Sequence, residues 1–486
     1  MVMGSLDDTI CAVATPMGEG GVGIVRVSGT HALPVASSIL RLRSGKPLEQ
    51  IKPYQLYLGQ FVWNPRQSEK NVGREISSAL DEVLVVMMRA PRSYTGEDVV
   101  EVHAHGGPVI VNAICEALTH AGARLAEPGE FTKRSFLNGR MDLTQAEGVL
   151  DTIRANSLQS LRMAQEHLQG RLSMVIQHQR DRLVKLVAHL EAGMDFVDDD
   201  IQFIDQSELK HNTQEILEEI QQLLESAEEG RMIREGIRTV ILGRPNVGKS
   251  SLLNGILGTN RAIVSHIPGT TRDVLEEAIL VEGVMIRLFD TAGLRETTDE
   301  LENEGMNRAT RAIEEADVLI MAFDRSSVLN EKDLFFIEKY TEKPCVMVLN
   351  KIDLPAKFSL KELQDIVSQP KNESEDSAVG EKKYVEVSAL NGEGLDNLKK
   401  AIKNLAVGRQ YEGGDSVLVS RLRHKTLLHN AGEALKNAIL AIDDRLSAEC
   451  IALELRMALN ALGEIVGAIT NEDILDQIFR EFCIGK

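Results

Sequence analysis

The sequence predicts a multidomain fold with an α+β N-terminal domain, an all-α helical bundle, and a doubly wound α/β domain inserted into that bundle. Three observations carry this prediction. β-rich runs dominate before about residue 140, leucines then recur at three- and four-residue spacings, and strands alternate with helices from about 234 to 408. A chain of 486 residues is long enough for about three domains. We therefore predict an N-terminal domain at 1–140, a helical domain in two parts at 141–233 and 409–486, and a nucleotide domain at 234–408.

Composition limits the functions open to this chain. It has 73 acidic and 54 basic residues and a formal net charge of −19, which argues against broad coating of nucleic acid but leaves room for a local basic patch on a structured RNA. The five cysteines show no paired metal-binding spacing, so a reducing compartment is the simpler interpretation. No apolar stretch approaches the roughly 18 residues of a membrane span, and the N-terminus lacks a secretion signal pattern. We therefore expect a cytosolic protein without a membrane-spanning segment.

The N-terminal domain is predicted from β-rich runs and a helix near 109–120. The runs lie at 9–15, 23–27, 54–61 and 80–88. The glycines at 18–23 match the spacing of a dinucleotide-binding loop, but a strand follows them instead of a helix, so a glycine-rich hairpin is favoured. His103 and His105 are interpreted as packing or turn residues, because two histidines alone make a poor metal site.

Helical segments are predicted on both sides of the nucleotide domain. From about 143 to 193, apolar residues form an amphipathic stripe at three- and four-residue spacings. The stripe comprises Leu158, Leu161, Leu168, Leu172, Val175, Leu183, Leu186 and Leu190. A further helix is expected at about 207–227, after an acidic stretch that we interpret as a solvated linker, and helices at 417–440 and 448–469 follow the nucleotide domain. Motions of an inserted nucleotide domain can then push on helices at both junctions.

The segment 243–250 reads G-R-P-N-V-G-K-S and fits the phosphate-binding loop G-x-x-x-x-G-K-[ST]. Its glycines let backbone N–H groups turn onto phosphate oxygens, Lys249 adds a positive charge, and the hydroxyl of Ser250 can hold Mg²⁺. A buried strand precedes the loop, and a helix opens at Ser251 with a dipole that favours anions. The expected contacts of this loop with nucleotide are Asn246, Val247, Gly248, Lys249, Ser250 and Ser251.

The tetrad N-K-I-D at 350–353 selects the base. Asp353 can accept hydrogen bonds from N1 and N2 of guanine, a pair of donors that adenine lacks, so adenine should be rejected. Lys351 can lie along the base, and Asn350 can bridge to the phosphate loop. The carbonyl side of the base is expected to meet Ser388, Ala389 and Leu390.

The sequence D-T-A-G follows an apolar strand at 285–289 and completes the nucleotide site. The strand-end carboxylate can hold the metal through water, and the glycine N–H can meet the γ-phosphate. These residues are Asp290, Thr291, Ala292 and Gly293. Four motifs in series predict a Ras-like P-loop GTPase domain that binds GTP.

The segment between the phosphate loop and Asp290 has the features of a nucleotide-dependent switch. It contains I-P-G-T-T-R-D at 267–273, and Thr271 is the candidate to complete the Mg²⁺ shell when the γ-phosphate is present. Leu294 stands where many Ras-like GTPases keep a glutamine that orients the attacking water. Leucine cannot do that, so hydrolysis is either slow or assisted by another polar group. Asn246 offers an amide oxygen to a monovalent cation, although a loop-stabilising hydrogen bond explains it equally well.

The C-terminal tail F-C-I-G-K at 482–486 points to a family. Together with E-P-G-E-F-T at 127–132 and L-N-G-R-M-D-L-T-Q-A-E at 137–147, it closely resembles the MnmE (also called TrmE) family of tRNA-modification GTPases. The likeness covers essentially the whole chain, and these blocks are far more specific than the phosphate loop.

The resemblance implies a K⁺-stimulated GTPase that works with a flavoprotein partner, MnmG, in a hetero-oligomer. Together they install an aminomethyl or carboxymethylaminomethyl group on C5 of the wobble uridine of certain tRNAs. A tetrahydrofolate derivative, in the 5-formyl or methylene form, is implied as the one-carbon donor bound by the N-terminal domain. A homodimer formed through that domain is also implied, with nucleotide domains that pair when GTP and K⁺ are bound.

Particular roles follow from the resemblance. The K⁺ ligands would be Asn246, Ser265, Ile267 and Thr270, and the Mg²⁺ ligands Ser250 and Thr271. The switch residues at the nucleotide would be Ser265, His266, Ile267, Pro268, Gly269, Thr270 and Thr271. Glu302 would orient the attacking water, the part that Leu294 cannot play.

A folate site is implied at Arg26, Glu101 and Arg140, with Lys486 nearby. Charged pairs suit the guanidine-like edge and the carboxylates of a folate. Relatives often carry lysine at position 140, so the charge is kept while the geometry changes. Cys483 is either catalytic or a small packing residue.

Two other functions are weighed against this one. A ribosome-assembly GTPase of the Era type would append a basic RNA-binding domain, and none is evident after about residue 407. A membrane-remodelling GTPase of the dynamin type would need a basic lipid-binding helix, and none stands out.

Overall fold

The structure is a computed structural model that describes residues 8–63, 79–195, 205–258, 276–290, 310–340, 342–368, 381–407 and 417–486. The chain divides into two compact units, which are described separately. The first unit comprises Met1–Leu150 and Gly463–Lys486, and the second comprises Asp151–Leu462. The C-terminal tail therefore belongs to the N-terminal unit and not to the helices that precede it in the chain.

The secondary structure follows the predicted order of β-rich, helical, alternating and again helical segments. The strands are β1 (Ile10–Val13), β2 (Gly20–Ser28), β3 (Leu40–Leu42), β4 (Tyr57–Val62), β5 (Ala79–Met88), β6 (Val99–Gly106), β7 (Arg124–Leu125), β8 (Ile237–Leu242), β9 (Glu276–Val281), β10 (Val284–Asp290), β11 (Val318–Asp324), β12 (Cys345–Asn350) and β13 (Lys382–Val387). The helices are α1 (Ala32–Ile39), α2 (Pro108–His120), α3 (Glu130–Leu137), α4 (Leu143–Arg154), α5 (Leu158–Leu168), α6 (Arg171–Asp195), α7 (Gln206–Glu235), α8 (Lys249–Leu257), α9 (Glu331–Tyr340), α10 (Leu360–Val367), α11 (Leu395–Ala406), α12 (Leu422–Asp443), α13 (Ala448–Val466) and α14 (Glu472–Arg480).

The first unit is built on a seven-stranded sheet of order β3-β4-β5-β6-β2-β1-β7. Neighbouring strands are antiparallel except β1 and β7, which are parallel. The predicted glycine-rich hairpin is the β1–β2 connection, in which Val13 pairs with Val25. Valines of the sheet pack against α1 and α2, with Ile114 and Leu118 fully buried beneath it. This mixture of sheet and helices confirms the α+β prediction.

The C-terminal tail docks on α3. Lys133 of α3 forms an ion pair of 2.6 Å with Asp476 of α14. Gly129, directly before α3, lies very close to α14. A Cβ built on Gly129 would lie 2.5 Å from the carbonyl oxygen of Phe479. Only a residue without a side chain permits this contact, which seats the last residues of the chain within the N-terminal unit.

The second unit contains a six-stranded sheet of order β13-β12-β11-β8-β10-β9. All pairs are parallel except β9 with β10. One face buries Ile320 and Val348 with helix residues such as Leu252, and the other buries Leu319 and Met347. Apolar cores on both faces make a doubly wound α/β sheet, as the alternating pattern predicts.

The predicted leucine stripe is wrong at its start. Leu158 and Leu161 are 68% and 36% exposed, whereas α5 buries Met163 and His167. Ser157 caps the start of the helix, and on the inward face the ring of His167 hydrogen-bonds the carbonyl oxygen of Leu418 at 2.8 Å. A left-handed residue, Gly170 (φ +80°), then separates α5 from α6, so one helical phase does not run through both.

Two other helix bounds differ from expectation. The helix predicted at 207–227 extends to Glu235 and ends at Gly236, whose φ is +93°. The helix predicted from residue 417 begins only at Leu422. Residues 417–421 instead run along α7, where a Cβ on Gly230 would lie 2.1 Å from the carbonyl oxygen of Val419. The acidic stretch at 195–200 lies outside the described residues apart from the end of α6.

A buried carboxylate joins the two chain segments that flank the nucleotide module. Asp151, whose side chain is 5% exposed, accepts hydrogen bonds from Arg234 Nε at 3.0 Å and from Arg421 Nη2 at 2.7 Å. Arg234 lies at the end of α7 before β8, and Arg421 directly precedes α12. Charge-assisted hydrogen bonds of this kind are short and strong when buried. The entry and exit of the module are thus fixed to each other through Asp151.

Contacts from α5 reach the sheet of the same unit. Met163 belongs to the apolar core on one face of the sheet. Gln159 donates a hydrogen bond of 3.5 Å to the carbonyl oxygen of Glu282, in the turn between β9 and β10. Within the described ranges, no helix is long and apolar enough to cross a membrane, and no cluster of three or more His, Cys, Asp or Glu side chains is arranged to hold a metal ion.

Candidate nucleotide and cofactor sites

The phosphate loop connects β8 to α8 at the carboxyl edge of the parallel sheet. Gly248 (φ +97°) immediately precedes Lys249, the first residue of α8, and gives the chain its turn into the helix. Lys249 Nζ donates hydrogen bonds of 3.0 Å to the carbonyl oxygens of Gly243 and Arg244. Ser250 and Ser251 are exposed in the first turn of α8. The lysine ammonium is therefore held inside the curve of the loop, at the end of a helix whose dipole favours anions.

Asn350 ties the base side of the site to the phosphate loop. It ends β12 and is 1% exposed. Its Nδ2 donates to the carbonyl oxygen of Val247 at 2.8 Å, and its Oδ1 accepts from the backbone N–H of Ala389 at 3.1 Å. One side chain thereby joins three loops: those that follow β8, β12 and β13.

Lys351 and Asp353 are held by different partners. Lys351 Nζ donates to the carbonyl oxygen of Asn246 at 2.8 Å and to Asp324 Oδ2 at 2.7 Å. Asp353 Oδ1 accepts a hydrogen bond of 2.6 Å from the Ser388 hydroxyl. Leu390, next to Ala389, is 83% exposed and available to a base. The structure brings these residues of the predicted site to one edge of the sheet.

Other predicted site residues lie outside the described ranges. They are Ser265, His266, Ile267, Pro268, Gly269, Thr270, Thr271, Thr291, Ala292, Gly293 and Glu302. Asp290 is the last residue of β10, so its backbone lies beside that of Ile241 at the same sheet edge as the phosphate loop.

Sequence reasoning missed the support beneath the phosphate loop. Arg244 donates a hydrogen bond to the hydroxyl of Ser327 and lies 3.3 Å from the carboxylate of Asp333, which is 1% exposed. Burial raises the pKa of Asp333, and the charge of Arg244 opposes that rise. One feature of the sequence points to this support: Asp324, like Asp290 and Asn350, is the last residue of a strand.

The first unit contains a separate charged cluster. Arg26 on β2 stands directly opposite Glu101 on β6, and the two form an ion pair with Nη2–Oε1 of 2.8 Å. The Arg26 guanidinium carbon lies 5.3 Å from the ring centroid of Tyr94 and 5.6 Å from that of Phe131. A hydrogen bond with His103 and the charge of Arg26 lower the pKa of Glu101 despite the opposing effect of burial.

The C-terminal tail reaches this cluster. Arg26 Nη1 donates to the carbonyl oxygen of Gly485 at 3.5 Å. Burial and then the charge of Arg26 lower the pKa of Lys486, while Glu101 opposes them. Cys483 is exposed, and its carbonyl oxygen lies 3.5 Å from the backbone nitrogen of Gly129. Arg26, Glu101 and Lys486 are therefore brought into one electrostatic group.

Arg140 is not part of this electrostatic group. It is exposed, and its Cγ would be 3.3 Å from a Cβ built on Gly96. The structure gives it no ion pair with another residue of the described ranges. His103, which the sequence predicts to be a packing or turn residue, also belongs to the cluster, with its Nε2 3.3 Å from Glu101 Oε2.

The doubly wound sheet, with its phosphate loop and its N-K-x-D tetrad at one edge, defines a P-loop GTPase domain. Comparison with known proteins places the whole chain in a family. The profile described as "GTP-binding protein TrmE N-terminus" matches residues 9–140, and the one described as "MnmE helical domain" matches residues 143–483.

Full-length relatives agree with these profiles. The tRNA modification GTPase MnmE of Moorella thermoacetica is 44% identical over 482 residues, which cover 99% of this chain and 100% of the relative. The protein of the same name from Clostridioides difficile is 40% identical over 481 residues, again covering 99% and 100%. The chain therefore belongs to the MnmE family of tRNA modification GTPases. This membership confirms the predicted family and the predicted enzyme class, a GTP hydrolase that acts in tRNA modification.

Proposed function

We propose that this chain is a K⁺-stimulated GTPase that, with an MnmG-type flavoprotein, drives addition of an aminomethyl or carboxymethylaminomethyl group to C5 of the wobble uridine of certain tRNAs. The observation that carries the proposal is that Asn350 and Lys351 contact the phosphate loop while Ser388 holds Asp353, in a member of this family. The four proposed domains are 1–140, 141–233, 234–408 and 409–486, with the last residues acting at the N-terminal domain.

On the nucleotide side, each residue has a distinct task. Asp353 accepts from guanine, while the Ser388 hydroxyl fixes the orientation of its carboxylate. Lys249 neutralises the β- and γ-phosphates, and the N–H groups at the start of α8 bind their oxygens. Glu302 orients the water that attacks the γ-phosphate.

The oxygen atoms that this site offers as metal ligands suit Mg²⁺ and K⁺. Hard cations prefer hydroxyl, carbonyl and amide oxygens, and Ser250 is exposed where the metal would meet the phosphates. Asn246 has a φ of +66°, and its carbonyl is held by Lys351, so its backbone is fixed at the rim of the loop. A bound K⁺ supplies the positive charge that an arginine finger supplies in other GTPases. Thr271 completes the Mg²⁺ set, and Ser265, Ile267 and Thr270 complete that of K⁺.

In the N-terminal domain, Arg26, Glu101 and Lys486 fit a tetrahydrofolate. Glu101 stays ionised and can accept from the guanidine-like edge of the pterin, while Arg26 and Lys486 offer positive charge. Tyr94 and Phe131 add aromatic surface to the same cluster. Arg140 contributes a further positive charge, and Cys483 lies on the tail that closes the site. The folate, when bound, supplies the one-carbon unit.

The helical segments can transmit nucleotide-dependent motion. Asp151 joins Arg234 and Arg421, so a displacement at one junction of the nucleotide module is passed to the other. Gln159 contacts the β9–β10 turn, at the far end of the strand that leads to Asp290. We infer that homodimers form through the N-terminal domain, that nucleotide domains pair across the dimer, and that the protein works on tRNA in the cytosol.

We expect GTP hydrolysis to be faster in K⁺ than in Na⁺ at equal ionic strength, by at least about tenfold. The physical reason is that the charge of a K⁺ held at Asn246 would stabilise the transition state. Phosphate release by the full-length chain, measured in KCl and NaCl over a range of protein concentrations, tests this. Equal rates in the two salts, or rates per molecule that do not depend on protein concentration, would contradict the proposal.

Cells that lack this chain should lose the C5 modification of wobble uridine, and the wild-type gene should restore it. A Lys249→Ala gene should not restore it, because the phosphates lose their main cationic partner, whereas a gene with the exposed Lys361→Ala should. Mass spectrometry of tRNA nucleosides provides the measurement. Normal modification in the deletion strain, with this chain co-sedimenting with ribosomal subunits, would instead favour the Era-type alternative.

A further inference from the structure

Asp324 is a buried carboxylate between the two halves of the nucleotide site. It ends β11, which lies between β8 and β12, the strands that lead to the phosphate loop and to the N-K-x-D tetrad. Its residue is 9% exposed, and it belongs to none of the predicted motifs. A carboxylate at this point can act on both halves without touching the nucleotide.

The hydrogen bonds of Asp324 begin a short series that ends at the phosphate loop. Its Oδ1 accepts from the backbone N–H of Ser326 at 2.9 Å and from the Ser326 hydroxyl at 2.6 Å. Its Oδ2 accepts from Lys351 Nζ at 2.7 Å, and the same ammonium donates to the carbonyl oxygen of Asn246 at 2.8 Å. The carboxylate therefore fixes the position from which Lys351 holds Asn246.

Lys351 and Asn246, which follow Asp324 in this series of hydrogen bonds, both have unfavourable backbone conformations. Asn246 has a φ of +66° and Lys351 a φ of +67°, in the left-handed region that is unfavourable for an L-residue. Such conformations persist only when surrounding contacts impose them. Hydrogen bonds from Lys351 and Ser326 lower the pKa of Asp324 although burial alone would raise it, so the carboxylate stays charged at neutral pH.

The segment after Asp324 holds the phosphate loop at a second place. Ser327 accepts a hydrogen bond from Arg244, and Asp333 forms an ion pair with the same side chain at 3.3 Å. Arg244 and Asn246 flank Pro245 in the loop. Two anchors from one segment, on either side of that proline, fix the rim of the loop more firmly than either one alone.

We propose that Asp324 is a positioning residue that sets the geometry of Asn246 through Lys351 and thereby sets the affinity of the site for K⁺. The inference rests on the proposed K⁺-stimulated hydrolysis and names a residue that controls it. Asp324 would act through Lys351 and not through a contact of its own with the cation or the nucleotide. Loss of its charge frees Lys351 and leaves Asn246 without a fixed carbonyl partner.

The test is GTP hydrolysis by the full-length chain as a function of KCl, at constant ionic strength. Asp324→Asn should raise the half-saturating K⁺ concentration about tenfold and leave kcat at saturating K⁺ within about twofold, as expected for one weakened charge-assisted hydrogen bond. Ser326→Ala removes only one hydrogen bond to Asp324 and should shift the same quantity in the same direction by less. Asp365→Asn makes the same chemical change on the exposed side of α10 and should shift nothing.

The outcomes separate this inference from the proposal on which it rests. A folded Asp324→Asn protein with an unchanged half-saturating K⁺ concentration would overturn the inference, as would a fall in kcat at every K⁺ concentration without a shift. Should Asp324→Asn fail to fold, an unshifted Ser326→Ala protein would overturn it and a shifted one would support it. A wild-type protein indifferent to K⁺ would overturn the proposed K⁺ stimulation itself, and the inference with it.

Discussion

Gly248→Ala is expected to weaken GTP binding about 100-fold. A Cβ at this position would lie 2.4 Å from Nδ2 of Asn350, and the backbone φ of +97° is strained for any L-residue. Asn350 is buried and joins Val247 to Ala389, so it cannot move away without breaking both hydrogen bonds. Strain and two lost hydrogen bonds of about 1 kcal/mol each give roughly 3 kcal/mol, or about two orders of magnitude in affinity.

Gly392→Ala is the matched control. It also has a positive φ, +81°, but a Cβ there would meet nothing within 4 Å. The substitution therefore introduces the strain of an L-residue without the clash, and it should change the affinity by less than about tenfold. Titration calorimetry with GDP and with a non-hydrolysable GTP analogue measures both variants. If Gly248→Ala and Gly392→Ala lose affinity equally, the contact with Asn350 is not what requires glycine at position 248.

Local motifs are sufficient to predict the nucleotide site from the sequence. The phosphate loop, the D-T-A-G sequence and the N-K-x-D tetrad each follow an apolar strand, and parallel strands bring their carboxyl ends to one edge. The contacts of Asn350 with the phosphate loop follow from that arrangement. The family blocks at the N-terminus and in the tail gave the remaining residues their roles, because isolated charged residues such as Arg26 carry no signal in their local spacing.

Contacts that depend on register or on distant segments could not be predicted. Arg26 faces Glu101 because β2 pairs antiparallel with β6 in one particular register, and a shift by one residue would point the two side chains to opposite faces. Asp324 forms an ion pair with Lys351, and Asp151 forms one with Arg421, although the partners are separated in the sequence. Periodicity failed on α5 for a related reason, since His167 has a buried partner that a hydrophobic pattern does not register.

The contacts of Asp151 hold the two ends of the inserted module together. A buried carboxylate that loses one of two arginine partners leaves an unpaired charge, which is costly in a low-dielectric interior. Asp151 therefore keeps α7 and the segment before α12 side by side, and the close approach of Gly230 to Val419 adds a steric constraint. A module fastened at both ends to helices can transmit a change in its switch segments, whereas one on loose linkers could not.

Glu302→Ala is expected to lower GTP turnover by roughly 100-fold to 10,000-fold while leaving GTP binding within about twofold of wild type. The reason is that Leu294 has no polar atom for the attacking water, so the loss of this carboxylate removes the group that orients it. Glu302 lies outside the described residues, and the expectation rests on its sequence position and on the family. Single-turnover phosphate release, combined with calorimetric GTP binding, separates the two effects.

Glu304→Ala serves as the control for that substitution, because it removes an identical carboxylate two positions further along. Hydrolysis by Glu304→Ala should stay within about threefold of wild type, since only one of the two carboxylates can occupy the position beside the γ-phosphate. If Glu302→Ala also hydrolyses GTP at the wild-type rate, the water is oriented by a different group. If both variants lose turnover equally, the two substitutions act through the net charge of the segment and not through one positioned carboxylate.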